Sequence, residues 1–220
     1  MKPIRLKDWP LVWFLGPQLE WLYYTRQKPE ELPNDLTRLR IRLIPYQLPS
    51  LLLGLILREH FLLIGNIFLG VSLIILFVQG MSDWIDGYLA YHKDCATAEG
   101  AQLDPRADKL VVLPNLVIYS LWSLATSDPV SASLLLTTVL IAIALDVQSD
   151  AWYREHPDGK SNDFGKLKFT LHILVAAIGI TVMIIDPSAA TKGQTAFFCA
   201  FLMLMADACA QRSLQLKQSA

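Results

Sequence analysis

Long apolar stretches separated by short polar segments dominate the chain from about residue 39 onward. An α-helix needs about 20 mostly apolar residues to cross the hydrocarbon core of a bilayer. Six stretches meet this requirement, near Leu39 to Leu57, Phe61 to Tyr91, Gln102 to Leu124, Ala132 to Tyr153, Lys166 to Ile185 and Thr195 to Ala210. The pattern therefore predicts an all-α integral membrane protein built as a bundle of about six transmembrane helices.

The composition fits this prediction, because 53% of the 220 residues are hydrophobic, which is high for a soluble domain. We expect one transmembrane domain over residues 33–220, preceded by a separate segment over residues 1–32. That segment combines aromatic with basic residues: Trp9, Trp13, Phe14, Trp21, Tyr23, Lys2, Arg5, Lys7 and Arg26. Such a mixture is typical of an amphipathic helix lying at the membrane interface.

The distribution of basic residues predicts the topology. With the N-terminus inside, only Arg58 and Lys192 of the 19 Lys and Arg residues fall in outer segments. Basic residues accumulate on the cytoplasmic side of membrane proteins. We therefore expect both termini to face the cytoplasm, with membrane lipids around the spans. Because the basic residues follow topology and form no aromatic-laced patch, nucleic-acid binding is not supported.

Four aspartates lie where the second and third spans approach the predicted cytoplasmic face. Asp83 and Asp86 are three residues apart, and Asp104 and Asp108 are four apart, so each pair shares one face of a helix. An ionised side chain within a span costs roughly 2.5–3.5 kcal/mol on insertion scales. The presence of four such side chains therefore indicates a functional role. Oxygen ligands without a nearby His or Cys cluster favour a hard cation, Mg²⁺ or Mn²⁺.

These residues resemble the signature of the CDP-alcohol phosphatidyltransferase family, D-x-x-D-G-x-x-A-R and, after a spacer, G-x-x-x-D-x-x-x-D. The matching positions are Asp83, Asp86, Gly87, Ala90, Gly100, Asp104 and Asp108. Three further segments, 33–40, 103–109 and 165–170, resemble P-N-x-L-T-x-x-R, L-D-P-x-A-D-K and G-K-x-K-T of phosphatidylglycerophosphate synthases. The resemblance covers the chain from Pro33 to Thr170.

The resemblance implies transfer of a phosphatidyl group from a CDP-diacylglycerol-type lipid to a small polar alcohol, with release of CMP, by a homodimer. It implies two divalent ions held by Asp83, Asp86 and Asp104, with Asp108 as the general base that also contacts one ion. The CDP-alcohol group is assigned by the same resemblance to Asn34, Thr37, Gly87, Ala90 and Gly100.

The preferred acceptor is glycerol 3-phosphate, which needs cationic partners for its phosphate. The candidate residues are Arg40, Arg106, Lys166 and Lys168, and the motif around Lys166 favours it most. Anchoring of basic residues at the inner membrane face explains the same positions equally well.

Two departures from the family pattern keep the acceptor open. Tyr91 replaces the signature Arg, and Asp146 and Asp150 stand where phosphatidylglycerophosphate synthases have an Arg-containing segment. Carboxylates disfavour a phosphorylated acceptor and favour an amine-bearing or polyol headgroup. Within the same family, inositol phosphate is a further alternative.

Two other classes of protein share some of these features. Intramembrane prenyltransferases also use two Asp-rich motifs and Mg²⁺, but their motifs are separated by most of a larger helical bundle, whereas all four aspartates here lie between Asp83 and Asp108. A second alternative is a catalytically weak membrane protein that binds a lipid headgroup.

Overall fold

Six α-helices make up almost all of the structure, a computed structural model that describes residues 24–25, 31–92, 98–155, 163–186 and 188–218. They are α1 (Leu32–Arg58), α2 (Leu62–His92), α3 (Ala98–Thr126), α4 (Pro129–Glu155), α5 (Asp163–Ile185) and α6 (Ala189–Gln218). These described ranges contain no β-strand. The predicted all-α architecture is therefore confirmed. The predicted interfacial helix over residues 1–32 lies almost entirely outside the described residues.

Each of the six helices contains an apolar stretch long enough to cross a bilayer. Large apolar side chains remain exposed along these stretches, for example Ile56, Ile74, Phe77, Leu140 and Phe198. Extended exposed apolar surface marks a region that contacts something other than water. Together with the length of the spans, this exposure identifies an integral, multi-pass membrane protein.

The first helix begins earlier than its apolar run predicts. α1 starts at Leu32 rather than near Leu39, and Asp35 lies in its first turn. Pro33 suits a first turn because its missing N–H has no intrahelical acceptor there, and a carboxylate near a helix N-terminus interacts favourably with the helix dipole. The polar segment before the apolar run is consequently helical, and it carries residues of the candidate site.

The helices divide into two compact units. The first comprises Met1–Leu43 and Val78–Ala107, and the second comprises Ile44–Phe77 and Asp108–Ala220. Of the six helices, the first unit contains the start of α1, the end of α2 and the start of α3. This unit therefore receives three of the four signature aspartates, and the fourth, Asp108, is the first residue of the second segment of the second unit.

Apolar side chains from all six helices form the core of the second unit. Fully buried members include Leu51, Leu69, Leu116, Leu135, Ile180 and Met203. α6 packs against both α4 and α5. Gly179 on α5 permits a close approach, since a Cβ atom there would lie 2.5 Å from Cγ of the Tyr119 ring on α3.

A buried amide pair links three helices inside the second unit. Gln47 on α1 donates from Nε2 to Oδ1 of Asn115 on α3 at 2.6 Å, and the same nitrogen lies 3.1 Å from Oγ of Ser72 on α2. Polar groups within a bilayer must find partners inside the protein, because no water is available there. This contact therefore fixes the three helices against one another at one level.

The end of α5 is capped by charged side chains. Arg58 donates hydrogen bonds to the backbone carbonyl oxygens of Met183 and Ile184, which are among the carbonyls that lack an intrahelical partner. Asp186 follows in a left-handed conformation, with φ of 52°. Lys192 Nζ lies 2.5 Å from Asp186 Oδ1, and its hydrogen bond lowers the pKa of Asp186 below the usual 3.8.

Candidate active site

Three polar residues at the start of α1 form one buried helix face. Asn34, Thr37 and Arg40 are spaced by three residues, and all three are buried, with Arg40 0% exposed. Residues three apart lie on the same side of a helix. A fully buried guanidinium needs hydrogen-bonding anions, since an unpaired buried charge is strongly unfavourable.

Arg40 finds these anions in the first-unit aspartates Asp83, Asp86 and Asp104, hereafter the carboxylate cluster. Nη1 lies 2.6 Å from Asp83 Oδ1, and Nη2 lies 2.7 Å from Asp86 Oδ2 and 3.2 Å from Asp104 Oδ1. The planar guanidinium suits this role because it presents several donors in a fixed fork. One side chain of α1 thereby joins carboxylates from α2 and α3.

Thr37 adds a second polar contact to the same carboxylates. Its Oγ1 lies 2.6 Å from Asp104 Oδ1 and 3.1 Å from Asp86 Oδ2. A hydroxyl has one proton to donate, so it serves one acceptor at a time, and the shorter distance favours Asp104. Gln79 supports the arrangement by donating from Nε2 to the backbone carbonyl oxygen of Arg40 at 3.0 Å.

The carboxylates differ in their access to solvent. The Asp86 side chain is 5% exposed, whereas those of Asp83 and Asp104 are 30% and 43% exposed. With all three ionised, one guanidinium leaves the carboxylate cluster with net negative charge. The net negative charge therefore attracts a cation from solution, and the carboxylates of Asp83 and Asp104 are accessible to it.

The donor chemistry of the carboxylate cluster fits a hard divalent cation, because it consists of carboxylate oxygens together with the Thr37 hydroxyl. The arrangement nevertheless centres on Arg40. Within the described ranges, no three His, Cys, Asp or Glu side chains lie close enough to hold one ion. Binding a metal at these oxygens would require their contacts with Arg40 to be broken.

The other predicted site residues fall into three groups. Asp108 follows Asp104 by four residues in α3, is partly buried, and belongs to the second unit. Gly100 is buried and Arg106 is exposed. Gly87, Ala90 and Lys166 lie within helices, but their side chains are outside the described part of the structure.

Lys168 belongs to a separate polar group in the second unit, here called the Lys168 cluster: Lys168, Asp146, Asp207 and His172. Lys168 Nζ lies 2.7 Å from Asp146 Oδ1 and 2.9 Å from Asp207 Oδ1. His172 Nε2 lies 3.5 Å from the same Asp207 oxygen. All four side chains are at least largely buried, and Asp207 is only 2% exposed. Lys168 is thus held between two carboxylates.

Sequence reasoning missed several of these contacts. The structure places the Arg40 guanidinium among the carboxylates, and its predicted contact with the acceptor stays a prediction. No sequence motif points to Gln79, His172 or Asp207. The available signal was the presence of polar residues inside apolar spans, which within a bilayer require partners.

Comparison with known proteins shows the family to which the chain is similar. A family model described as CDP-alcohol phosphatidyltransferase matches residues 30–210, which is most of the chain and includes every candidate site residue. That range includes α1 to α5 entirely and most of α6.

Individual relatives match shorter segments. A cardiolipin synthase (CMP-forming) from Streptomyces coelicolor is 36% identical over 105 residues, 46% of this chain and 45% of the relative. A CDP-diacylglycerol–glycerol-3-phosphate 3-phosphatidyltransferase from Bacillus subtilis is 35% identical over 102 residues, 43% of this chain and 50% of the relative. A protein of the same name from Haemophilus influenzae is 46% identical over 48 residues, 22% of this chain and 26% of the relative.

The matched segments therefore span between a quarter and a half of the length of these curated relatives. The family match is much broader, because it runs from just before α1 into α6. The chain belongs to the CDP-alcohol phosphatidyltransferase family.

Proposed function

We propose that the protein transfers a phosphatidyl group from CDP-diacylglycerol to glycerol 3-phosphate and releases CMP, a step of phospholipid biosynthesis. The observation that carries the proposal is the convergence of Asp83, Asp86 and Asp104 on one point of the first unit. These aspartates are distant in sequence from Arg40, and they are the signature positions of the family.

In this reaction the acceptor hydroxyl oxygen attacks the phosphorus that carries the diacylglycerol. The bond between that phosphorus and the CMP oxygen breaks, and CMP leaves. Asp108 takes the hydroxyl proton as general base, a role that requires reach to that proton directly or through one water. Phosphoryl transfer otherwise depends mainly on positioning and charge stabilisation.

Asp83, Asp86 and Asp104 would hold Mg²⁺ or Mn²⁺, with Asp108 as a further ligand. Two bound ions supply charge neutralisation for the pyrophosphate and for the leaving oxygen. Asn34 and Thr37 on α1, with the small residues Gly87, Ala90 and Gly100, would contact the CDP group. Small residues allow a nucleotide to approach a helix backbone closely.

The same proposal includes the cellular arrangement. The carboxylate cluster and both termini face the cytoplasm, as the distribution of Lys and Arg predicts. The functional unit is a homodimer, as the family resemblance implies. Cysteine labelling in intact cells tests the orientation: a cysteine at Pro129 should react from outside, and one at Asn162 should not.

The test of the activity is release of labelled CMP from CDP-diacylglycerol by the purified protein. CMP release should require both glycerol 3-phosphate and Mg²⁺ or Mn²⁺, and it should stop when the metal is chelated. Asp108→Asn should lower kcat strongly while CDP-diacylglycerol binding is largely kept. Near wild-type turnover in Asp108→Asn would remove Asp108 from the role of base.

The pairing of Lys168 with Asp146 and Asp207 favours a second acceptor class. A lysine held by two carboxylates offers little net positive charge to a phosphate, and a phosphate dianion would meet both carboxylates. An uncharged polyol or an amine-bearing alcohol avoids this repulsion. An acceptor series in the CMP-release assay separates the two classes, because saturation by glycerol 3-phosphate supports the first and saturation by an uncharged polyol supports the second.

A further inference from the structure

The guanidinium of Arg40 makes close contacts that have no role in the proposed reaction. It is fully buried and donates to all three members of the carboxylate cluster. We propose that Arg40 is the internal counter-cation of this cluster, and that a divalent cation binds there by displacing the guanidinium. The inference rests on the proposed metal-dependent function, and it concerns how this chain controls its affinity for the metal.

The geometry makes the two cations competitors for the same oxygens. Nη2 of Arg40 contacts Asp86 Oδ2 and Asp104 Oδ1, and Nη1 contacts Asp83 Oδ1. Mg²⁺ binds oxygen at about 2.0–2.1 Å and demands near-octahedral geometry. An ion on these oxygens would take the lone pairs that now accept from Arg40, and its charge would repel the guanidinium at close range.

The path for the exchange is visible in the exposure of the side chains. Arg40 and Asp86 are buried at the inner side of the cluster, whereas Asp83 and Asp104 are 30% and 43% exposed. An incoming ion therefore meets Asp83 and Asp104 first. The hydrogen bond from Thr37 Oγ1 to Asp104 Oδ1, at 2.6 Å, keeps that carboxylate oriented while Arg40 leaves.

Two consequences follow for the metal-free protein. Arg40 suppresses repulsion among the carboxylates, so the first unit can fold without metal. The same contacts must be broken when the metal binds, so Arg40 lowers the metal affinity. Removal of Arg40 should therefore destabilise the metal-free protein and tighten metal binding. Loss of an ordinary structural residue would instead lower both the stability and the metal affinity.

The experiment is titration of the full-length protein in detergent with Mn²⁺, followed by calorimetry. Arg40→Gln keeps a polar side chain without the charge, and Arg40→Lys keeps the charge without the fork. Arg42→Gln is the matched control, because Arg42 is exposed and lies two residues further along α1. Arg40→Gln should bind Mn²⁺ about 10- to 100-fold more tightly than wild type. The Mn²⁺ affinity of Arg40→Lys should be intermediate, and that of Arg42→Gln should match wild type.

Thermal unfolding of the same samples supplies the second readout. Without metal, Arg40→Gln should melt below wild type, and saturating Mn²⁺ should raise its Tm by more than it raises that of wild type. Equal or weaker Mn²⁺ binding in Arg40→Gln would overturn the proposal.

A measurement on the wild-type protein covers the case in which Arg40→Gln does not fold. Phenylglyoxal modifies accessible arginines, and mass spectrometry locates the modified residues. Arg40 should be protected without metal and become reactive with Mn²⁺, while Arg42 should react in both conditions. An Arg40 that stays protected at saturating Mn²⁺ contradicts displacement.

The outcomes also separate this inference from the proposed function. If Mn²⁺ binds but Arg40 neither affects the affinity nor becomes reactive, the counter-cation role fails and the metal site stands. If Mn²⁺ binds to none of the proteins, both the metal site and the role of Arg40 are wrong. CMP release by the wild type is measured separately and decides the activity.

Discussion

Arg40 Nη2 lies 2.7 Å from Asp86 Oδ2, and both side chains are almost completely buried. Removing one partner of a buried ion pair leaves an uncompensated charge in a poorly solvated site, which typically costs about 3–5 kcal/mol. The contact thus ties the start of α1 to the end of α2 at the point where the signature begins. It also makes the two residues energetically dependent on each other.

A double-mutant cycle tests this dependence. Arg40→Gln and Asp86→Asn should each lower the stability, but the double variant should lose less than the sum, with a coupling of about 1–3 kcal/mol. The control is Arg38 with Asp35, an exposed pair on one helix at 3.6 Å, whose coupling should be below about 1 kcal/mol. Thermal unfolding in detergent gives both values. Equal coupling energies in the two pairs would contradict the claim that burial strengthens the interaction of Arg40 with Asp86.

The Lys168 cluster allows a test of acceptor recognition. If the acceptor carries a phosphate, Lys168→Ala removes a charge-assisted hydrogen bond and should raise its KM by about 10- to 100-fold. Asp207→Asn removes one of the two carboxylates that neutralise Lys168, so it should lower the KM for glycerol 3-phosphate. The KM of an uncharged polyol serves as the comparison. A KM for glycerol 3-phosphate that neither change affects would place the acceptor away from Lys168.

Close packing in the second unit predicts a specific steric effect. Gly179→Ala places a Cβ atom 2.5 Å from Cγ of the Tyr119 ring, and such overpacking should cost about 1–3 kcal/mol. Gly70→Ala is the matched control, since a Cβ there meets nothing within 4 Å. Alanine also favours a helix more than glycine does, so Gly70→Ala should be neutral or slightly stabilising. Equal Tm values for the two variants would show that the core relaxes around Gly179.

The turn between α5 and α6 predicts a pH dependence. Because the hydrogen bond from Lys192 lowers the pKa of Asp186 below its usual 3.8, the pair stabilises the folded state above that pH. The contribution is lost as the pH falls through the lowered pKa of the folded state. Asp186→Asn tolerates the left-handed conformation but cannot ionise. Its Tm should therefore fall less than that of wild type between about pH 5 and pH 3, and parallel curves would exclude Asp186 as a contributor.

Much of the fold could be predicted from the sequence, because a long apolar run in a bilayer satisfies its backbone hydrogen bonds by forming an α-helix. The number of spans and the all-α class followed directly. The start of α1 did not, because hydropathy ignores Pro33 and Asp35, whose effects belong to helix ends. The N-terminal interfacial helix stays a prediction.

The candidate site was predictable only in part, for a related reason. Spacing on one helix shows that Asp83 and Asp86 share a face, but it does not show which residue of another helix they meet. Arg40 is 43 and 46 residues away from them, and a basic residue near the inner membrane face has an ordinary topological explanation. The pairing of Lys168 with Asp207 was hidden in the same way, since no motif links α5 to α6.

Incorporation of labelled glycerol 3-phosphate into lipid tests the central claim most directly. The wild-type protein is reconstituted in liposomes containing CDP-diacylglycerol and Mn²⁺, beside Asp104→Ala and the control Arg42→Gln. Wild type and Arg42→Gln should form labelled lipid together with one CMP per lipid, and Asp104→Ala should form neither. Labelled lipid from Asp104→Ala at the wild-type rate would show that the carboxylate cluster is not the site of transfer.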